Sequence, residues 1–204
     1  MPEDHYFTAV PASDGERRTL HVVLAGRELE VETAGGVFSP DHVDLGTRVL
    51  LRSVPEPPAT GDLVDLGCGW GPVALTMALL SPAARVWAVD VNERALDLVR
   101  RNARRLGVDN VTAVAPQDVP PALRPTALWS NPPIRVGKAA LHELLGTWLA
   151  RLTPDGEAHL VVQRNLGADS LHAWLHDGLG CPVERVASAK GFRVLRVGRP
   201  ASAE

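Results

Sequence analysis

Two periods of apolar spacing alternate along this chain and divide it into elements. Residues 20–24 and 28–32 alternate apolar with polar and are joined by Ala25-Gly26-Arg27, which predicts a β-hairpin. Gly35-Gly36 ends it. Leu45, Val49, Leu50 and Val54 then recur at helical spacing, and Pro55-Glu56-Pro57-Pro58 forms a stiff connector. From residue 62 the two periods take turns. Strands are predicted over 63–66, 85–89, 110–115, 127–130 and 158–163, and helices over 72–80, 93–106, 138–152 and 170–179. Pro72 suits the first turn of its helix. The end, 183–187 and 192–197, turns over Lys190-Gly191 as a second hairpin.

Strand alternating with helix means a mostly parallel sheet covered on both faces, a Rossmann-like α/β fold. The closing hairpin adds an antiparallel strand. The organisation expected is a hairpin and helix over 1–54, then the α/β domain over 55–204. In such sheets ligands bind at the carboxyl ends of the strands, beside the point where strand order reverses.

Composition changes this picture little. The chain has 204 residues, enough for one domain burying roughly 70% of its unfolded surface. Hydrophobic residues make up 45% and aromatics only 4%, so aliphatics and alanine must fill the core. Two cysteines, Cys68 and Cys181, make no disulfide framework. His42, His142, His159, His172 and His176 show no metal-ligand spacing beyond the pair at 172 and 176, which lacks a third ligand, so no metal site is expected. Met1 to Val10 has no basic or apolar leader pattern, and no apolar run approaches the ~20 residues of a membrane span. A cytoplasmic address without membrane contact is expected.

Net charge is −3, which speaks against a strong nonspecific nucleic-acid binder. The charge is uneven. Residues 182–199 carry Arg185, Lys190, Arg193, Arg196 and Arg199 against Glu184 alone, a basic edge compatible with phosphate contacts or with protection of an edge strand. Arginines 100, 101, 104 and 105 are expected to form a solvated helix face.

The chemistry gathers where the topology predicts. After the first core strand comes Asp65-Leu66-Gly67-Cys68-Gly69-Trp70-Gly71. Glycines at 67, 69 and 71 let the backbone approach a ligand closely, and the following helix points free N–H groups at it. The G-x-G-x-G spacing departs from the dinucleotide fingerprint G-x-G-x-x-G. Asp65 would receive a cation such as a methionine ammonium and repel a pyrophosphate. Asp90, at the end of the next strand, can accept ribose hydroxyls. Asn92 suits a helix N-cap, and Gln117-Asp118 sits where an adenine amino group would lie. The fourth strand ends in Asn131-Pro132-Pro133-Ile134. An amide oxygen from Asn131 and a rigid carbonyl from Pro132 can accept both N–H bonds of a planar amine. That pulls the nitrogen towards a tetrahedral shape with its lone pair aimed at an electrophile, a positioning device that needs no strong base.

Gly36-Val37-Phe38-Ser39, Asp65–Gly71, Asp90 and Asn131–Ile134 together resemble the methyltransferase small domain group. The resemblance is strongest to ribosomal RNA small-subunit guanine-N2 methyltransferases, and it covers about residues 5–199. It implies a seven-stranded class I methyltransferase fold, S-adenosyl-L-methionine as cofactor and a guanine amine in RNA as acceptor. It further implies that Phe38–Thr47 lies over the methionine end of the cofactor. The cofactor-binding set is then Phe38, Thr47, Asp65, Gly67, Cys68, Gly69, Gly71, Asp90, Asn92, Gln117, Asp118 and Asn131, with Asn131, Pro132, Pro133 and Ile134 catalytic. Ile134 departs from the family, where an aromatic often stacks on the base. Phe192 and Trp129 are the candidate replacements. Larger members carry a second domain, which leaves recognition here to a homodimer or to the basic edge. Three other readings compete. One is an N-methyltransferase acting on adenine N6 or a protein glutamine. Another is a non-catalytic cofactor-binding RNA-interaction protein. The last, a nicotinamide oxidoreductase, lacks the Tyr–Lys or His pair it would need.

Overall fold

The structure, a computed structural model, describes residues 16–201, the side chain of Arg135 excepted. The leader reading over residues 1–10 and the outer ends of the two expected segments lie outside the described residues.

Seven strands form the central sheet: β3 (Asp62–Leu66), β4 (Arg85–Val89), β5 (Val111–Val114), β6 (Ala127–Ser130), β7 (Glu157–Gln163), β8 (Val183–Ala189) and β9 (Phe192–Gly198). Their order is β5-β4-β3-β6-β7-β9-β8. The first five run parallel, and β9 inserts antiparallel between β7 and β8. The insertion follows from side-chain character. Val194, Leu195 and Val197 of β9 are buried, whereas β8 is mostly exposed and takes the edge. The chain enters at β3, winds out to β5, then returns to β6 beside β3, so the switch point lies between the β3 and β6 carboxyl ends.

Helices α2 (Pro72–Leu80), α3 (Glu93–Leu106) and α4 (Lys138–Leu149) follow β3, β4 and β6. Helix α4 ends three residues before the expected Leu152, because its last turn tightens: the N–H groups of Arg151 and Leu152 donate to Trp148 and Leu149. The helix expected over 170–179 starts earlier, as α5 (Ala168–Ala173), at Gly167 with φ 101°. It then widens into a π-turn over Trp174–Gly178, where the Leu179 N–H reaches the Trp174 carbonyl.

The N-terminal hairpin is β1 (Arg17–Leu24) and β2 (Arg27–Ala34), turning at Ala25 and Gly26, both with positive φ. It packs on α3. The arginines of α3 divide: Arg100 and Arg104 are exposed, as expected, whereas Arg101 and Arg105 hold Glu32 and Glu30 of β2 at 2.5 and 2.9 Å. Buried Asn102 adds strand-like bonds. Its Oδ1 accepts from the Glu32 N–H (2.6 Å), and its Nδ2 donates to the Glu32 carbonyl (3.0 Å) and the Trp70 carbonyl (3.1 Å). Helix α1 (Leu45–Ser53) sits elsewhere. Val49 and Leu50 join the main core with Trp129, Val161 and Val194, so α1 covers the sheet beside the switch point. No described helix is long and apolar enough to cross a membrane.

Candidate active site

The cofactor loop is pinned at both ends. The N–H groups of Gly67 and Cys68 donate to the Val89 carbonyl at 2.8 and 3.1 Å, and the Gly69 N–H donates to Asp90 Oδ2 at 2.9 Å. Gly67, Gly69 and Gly71 have φ of 78°, 52° and 101°, conformations that L side chains rarely adopt. A Cβ on Gly71 would also stand 3.0 Å from Val99, and one on Gly67 would reach Pro133 at 4.0 Å. The glycine loop and the Asn-Pro-Pro loop therefore adjoin across the switch point. Ser130 fastens them, its hydroxyl donating to the Leu66 carbonyl at 2.6 Å.

Asp65 is 1% exposed and lines the cleft. Its Oδ2 accepts from the Ala74 N–H at 2.8 Å. Burial pushes its carboxyl up to about 8, reinforced by nearby Asp90 and opposed by the Ala74 bond. Asp90 accepts from the Gly69 and Asn92 N–H groups, at 2.9 Å each, on different oxygens. Burial raises its carboxyl too, against these backbone donors. Each oxygen keeps acceptor capacity for a hydroxyl. Asn92 is 6% exposed and occupied elsewhere. Its Oδ1 caps α3 at the Arg94 N–H (3.0 Å), and its Nδ2 donates to the Gly36 carbonyl (2.8 Å).

That last bond anchors a strap over the cofactor loop. Its far end is held by Trp70, whose indole N–H donates to the Ser39 carbonyl at 3.1 Å. Phe38, 40% exposed, stands over Gly69. The strap leads into Asp44, the N-cap of α1, whose Oδ2 accepts from the Gly46 and Thr47 N–H groups at 2.7 and 3.2 Å. The same oxygen accepts from Asn131 Nδ2 at 2.9 Å, and Asn131 Nδ2 also donates to the Thr47 hydroxyl at 3.2 Å. Behind Asn131, Pro133 adopts φ −75° and ψ 75°, an inverse γ-turn in which the Ile134 N–H donates to the Pro132 carbonyl at 2.8 Å.

The structure brings Phe38, Thr47, Asp65, Gly67, Cys68, Gly69 and Asn131 to one cleft. Asp90 stands directly behind Gly69. Gln117 and Asp118 lie outside the cleft, exposed on a 3-10 turn after β5. Ile134 packs against the core on the α4 side, and Trp129, 2% exposed, meets His159 edge-on inside the sheet packing. Cys68 is buried, and burial beside Asp90 and Asp65 holds its thiol neutral, well above the usual range. The sequence reading missed Asp44 and Trp70. Asp44 was legible as an N-cap two residues before Gly46, but nothing in one dimension linked it to Asn131, 87 positions away.

The C-terminal arginines are more engaged than their charge suggested. Arg193 pairs with Asp169, and Arg196 pairs with Glu184 at 2.6 Å and Glu157 at 3.4 Å. Among the described residues no cluster of histidine, cysteine and acids could hold a metal ion.

Asp44 and Asp65 line the cleft, Asp90 flanks it, and among the described residues no lysine or arginine side chain lines it. Such a site takes a cation at close range and disfavours a pyrophosphate. The residues therefore fit a ligand carrying an ammonium and a sulfonium. An open sheet of this order with a cation-accepting switch-point crevice defines a class I methyltransferase, and its cofactor is S-adenosylmethionine. The methyltransferase small domain model matches residues 28–196, and the chain belongs to that family. It is 32% identical over 196 residues to the uncharacterized protein YbxB of Bacillus subtilis (strain 168), covering 95% of this chain and 97% of that one. It is 35% identical over 180 residues to ribosomal RNA small subunit methyltransferase C of Acinetobacter baylyi, covering 82% of this chain and 50% of that protein. Among solved structures, the T. thermophilus 16S rRNA N2 G1207 methyltransferase, in complex with AdoMet and guanosine, shares the fold with a TM-score of 0.78 at 23% identity. That match covers 93% of this chain and 52% of the other, so the chain spans about half the length of these two methyltransferases.

Proposed function

We propose that this methyltransferase modifies the exocyclic N2 amine of guanine in ribosomal RNA. The observation that carries the reading is the Asn131 amide. Its Nδ2 is engaged by Asp44 and Thr47, and its Oδ1 has no partner among the described residues. That oxygen and the second lone pair of the Pro132 carbonyl form a two-acceptor fork suited to an –NH₂ group. The cofactor, when bound, supplies an electrophilic methyl group on its sulfonium. Asp65 would hold its ammonium and Asp90 its ribose hydroxyls, and the adenine would extend beyond the cleft to the exposed turn at Gln117-Asp118. The segment up to residue 54 would cap this site through Phe38, Ser39, Asp44 and Thr47. The Asn131 fork would draw the amine nitrogen out of conjugation and aim its lone pair, so that positioning carries the rate. The choice of guanine in RNA rests on the named activities of the relatives of similar sequence and fold.

The test is to incubate the protein with methyl-labelled S-adenosylmethionine and unmodified small-subunit ribosomal RNA, free and assembled, and to map the labelled nucleoside. N2-methylguanosine is expected. Label in N6-methyladenosine, or in ribosomal protein instead of RNA, overturns the acceptor while keeping the enzyme class.

A further inference from the structure

We infer that Asp44 is a positioning residue of the methyl-transfer site, setting which way round the Asn131 amide faces. The inference rests on the acceptor role given above to Asn131. An Asn side chain has two nearly isosteric ends, an oxygen that accepts and an NH₂ that donates, and only one orientation can receive an amine's protons. A carboxylate oxygen only accepts. Asp44 Oδ2, 2.9 Å from the amide, therefore forces the NH₂ end towards itself and turns Oδ1 to the opposite side. The Thr47 hydroxyl, at 3.2 Å, accepts the same NH₂ end.

The carboxylate is itself fixed. The Gly46 and Thr47 N–H groups donate to the same oxygen at 2.7 and 3.2 Å, so the start of α1 holds it and adds the favourable end of the helix dipole. Gly46 makes this approach possible. A Cβ there would stand 2.9 Å from both Asp44 Oδ2 and the Phe192 ring. The ring of β9 thus packs against the glycine on which the cap is built. Helix α1 is held in turn by burial of Val49 and Leu50. Sheet, helix start, carboxylate and amide form one chain of contacts ending at the acceptor fork.

The experiment has two arms. In the first, the Asn131 side-chain NH₂ signals are identified in a ¹⁵N–¹H spectrum of the cofactor-free protein by their loss in Asn131→Ala. A hydrogen bond to a carboxylate should move one proton downfield and slow its exchange. In Asp44→Ala the pair should move back towards the positions and exchange rates of a free amide, leaving only the weaker bond to the Thr47 hydroxyl. Signals already at free-amide values in the parent overturn the proposal without any turnover. In the second arm, single-turnover methylation of small-subunit ribosomal RNA is measured for Asp44→Ala, Asn131→Ala and the double variant. Asp44→Ala should lose roughly tenfold to a hundredfold, the scale of one charged hydrogen bond. The double variant should match Asn131→Ala within about threefold, because Asp44 acts through that amide. Losses that multiply mean that Asp44 acts independently, and the proposal fails while the role of Asn131 stands. Parent-like turnover in Asn131→Ala removes the acceptor fork and this proposal with it. If Asp44→Ala does not fold, Thr47→Val leaves the carboxylate cap in place and enters the same cycle, with a smaller loss that should likewise vanish in Asn131→Ala.

Discussion

The Asp65 carboxylate accepts the Ala74 backbone N–H at 2.8 Å, so the acid one residue before the end of β3 also caps helix α2. Gly71, the residue at the N-cap position, has no side chain to do so. One residue thus orders the loop and places a carboxyl group in the cleft. Burial holds that group near 8, far above its value of 3.8 in an unfolded chain. The folded protein therefore binds more protons than the unfolded one between those limits, and its stability should fall as pH rises from about 4 to 8. Asp65→Asn keeps an acceptor for Ala74 and removes the titration. In thermal scans of the cofactor-free protein, the parent should lose more stability between pH 5 and pH 8 than this variant. Parallel losses would show that Asp65 titrates in the fold as it does in the unfolded chain, so that burial does not raise it.

The same group makes cofactor binding depend on pH. A bound ammonium favours the ionised carboxylate, so binding releases a proton below about pH 8. Calorimetric affinity for S-adenosylmethionine should rise from pH 6 to pH 7, approaching tenfold per unit, and Asp65→Asn should flatten the profile as well as lower it. A flat parent profile would detach the ammonium from Asp65.

Asp90 and Asn92 are neighbours with separable duties. Asp90→Ala should weaken S-adenosylmethionine binding at least tenfold, about 1.4 kcal/mol. Asn92→Ala removes the cap of α3 and the bond to Gly36, so it should cost on the order of 1 kcal/mol of stability with a smaller loss of affinity. Urea titration and calorimetry on both variants check the split, and the reverse pattern would return Asn92 to the cofactor.

Gly46→Ala tests the packing behind the acceptor fork. The new methyl group meets Asp44 Oδ2 and the Phe192 ring at 2.9 Å, which forces one of them to move. Overpacking of this kind costs about 1–3 kcal/mol. If the carboxylate yields, turnover should drop about tenfold beyond any change in cofactor affinity. Relaxing the ring with Phe192→Leu in the same chain should restore part of it. Activity measured on both variants decides which neighbour moves.

Contact with RNA phosphates is expected from the hairpin tip rather than from its strands. Lys190 stands at the turn with φ 51°, and the Arg164 N–H donates to the Gly191 carbonyl beside it at 2.8 Å. Arg193 pairs with Asp169. Lys190→Ala should therefore lower the slope of log K against log salt for RNA binding by about one, and Arg193→Ala should leave it unchanged. Equal slopes in the parent and Lys190→Ala would return the tip to edge protection.

Much of this protein is determined by its sequence alone. The period switch after residue 62 placed every core strand within two residues, and Pro72 and Asn92 marked helix starts by local chemistry. The glycine loop, Asp65, Asp90 and Asn131 were legible because strand ends at a switch point are where such sheets bind ligands, and each lies at or just past the end of a short apolar strand. What only the tertiary structure decided were relations between distant segments. Arginines 101 and 105 read as solvated because nothing local announces that Glu30 and Glu32 come across to meet them. The basic hairpin was left between a phosphate surface and edge protection because a charge count cannot see Asp169 and Glu157 from neighbouring elements. Asp44 was passed over. Its hold on Asn131 exists because helix α1 folds back over β7 and β9, a placement set by burying Val49 and Leu50 in the core cluster that holds Val161 and Val194. Periodicity reports which face of an element is buried, but only the packed core fixes what that face is buried against.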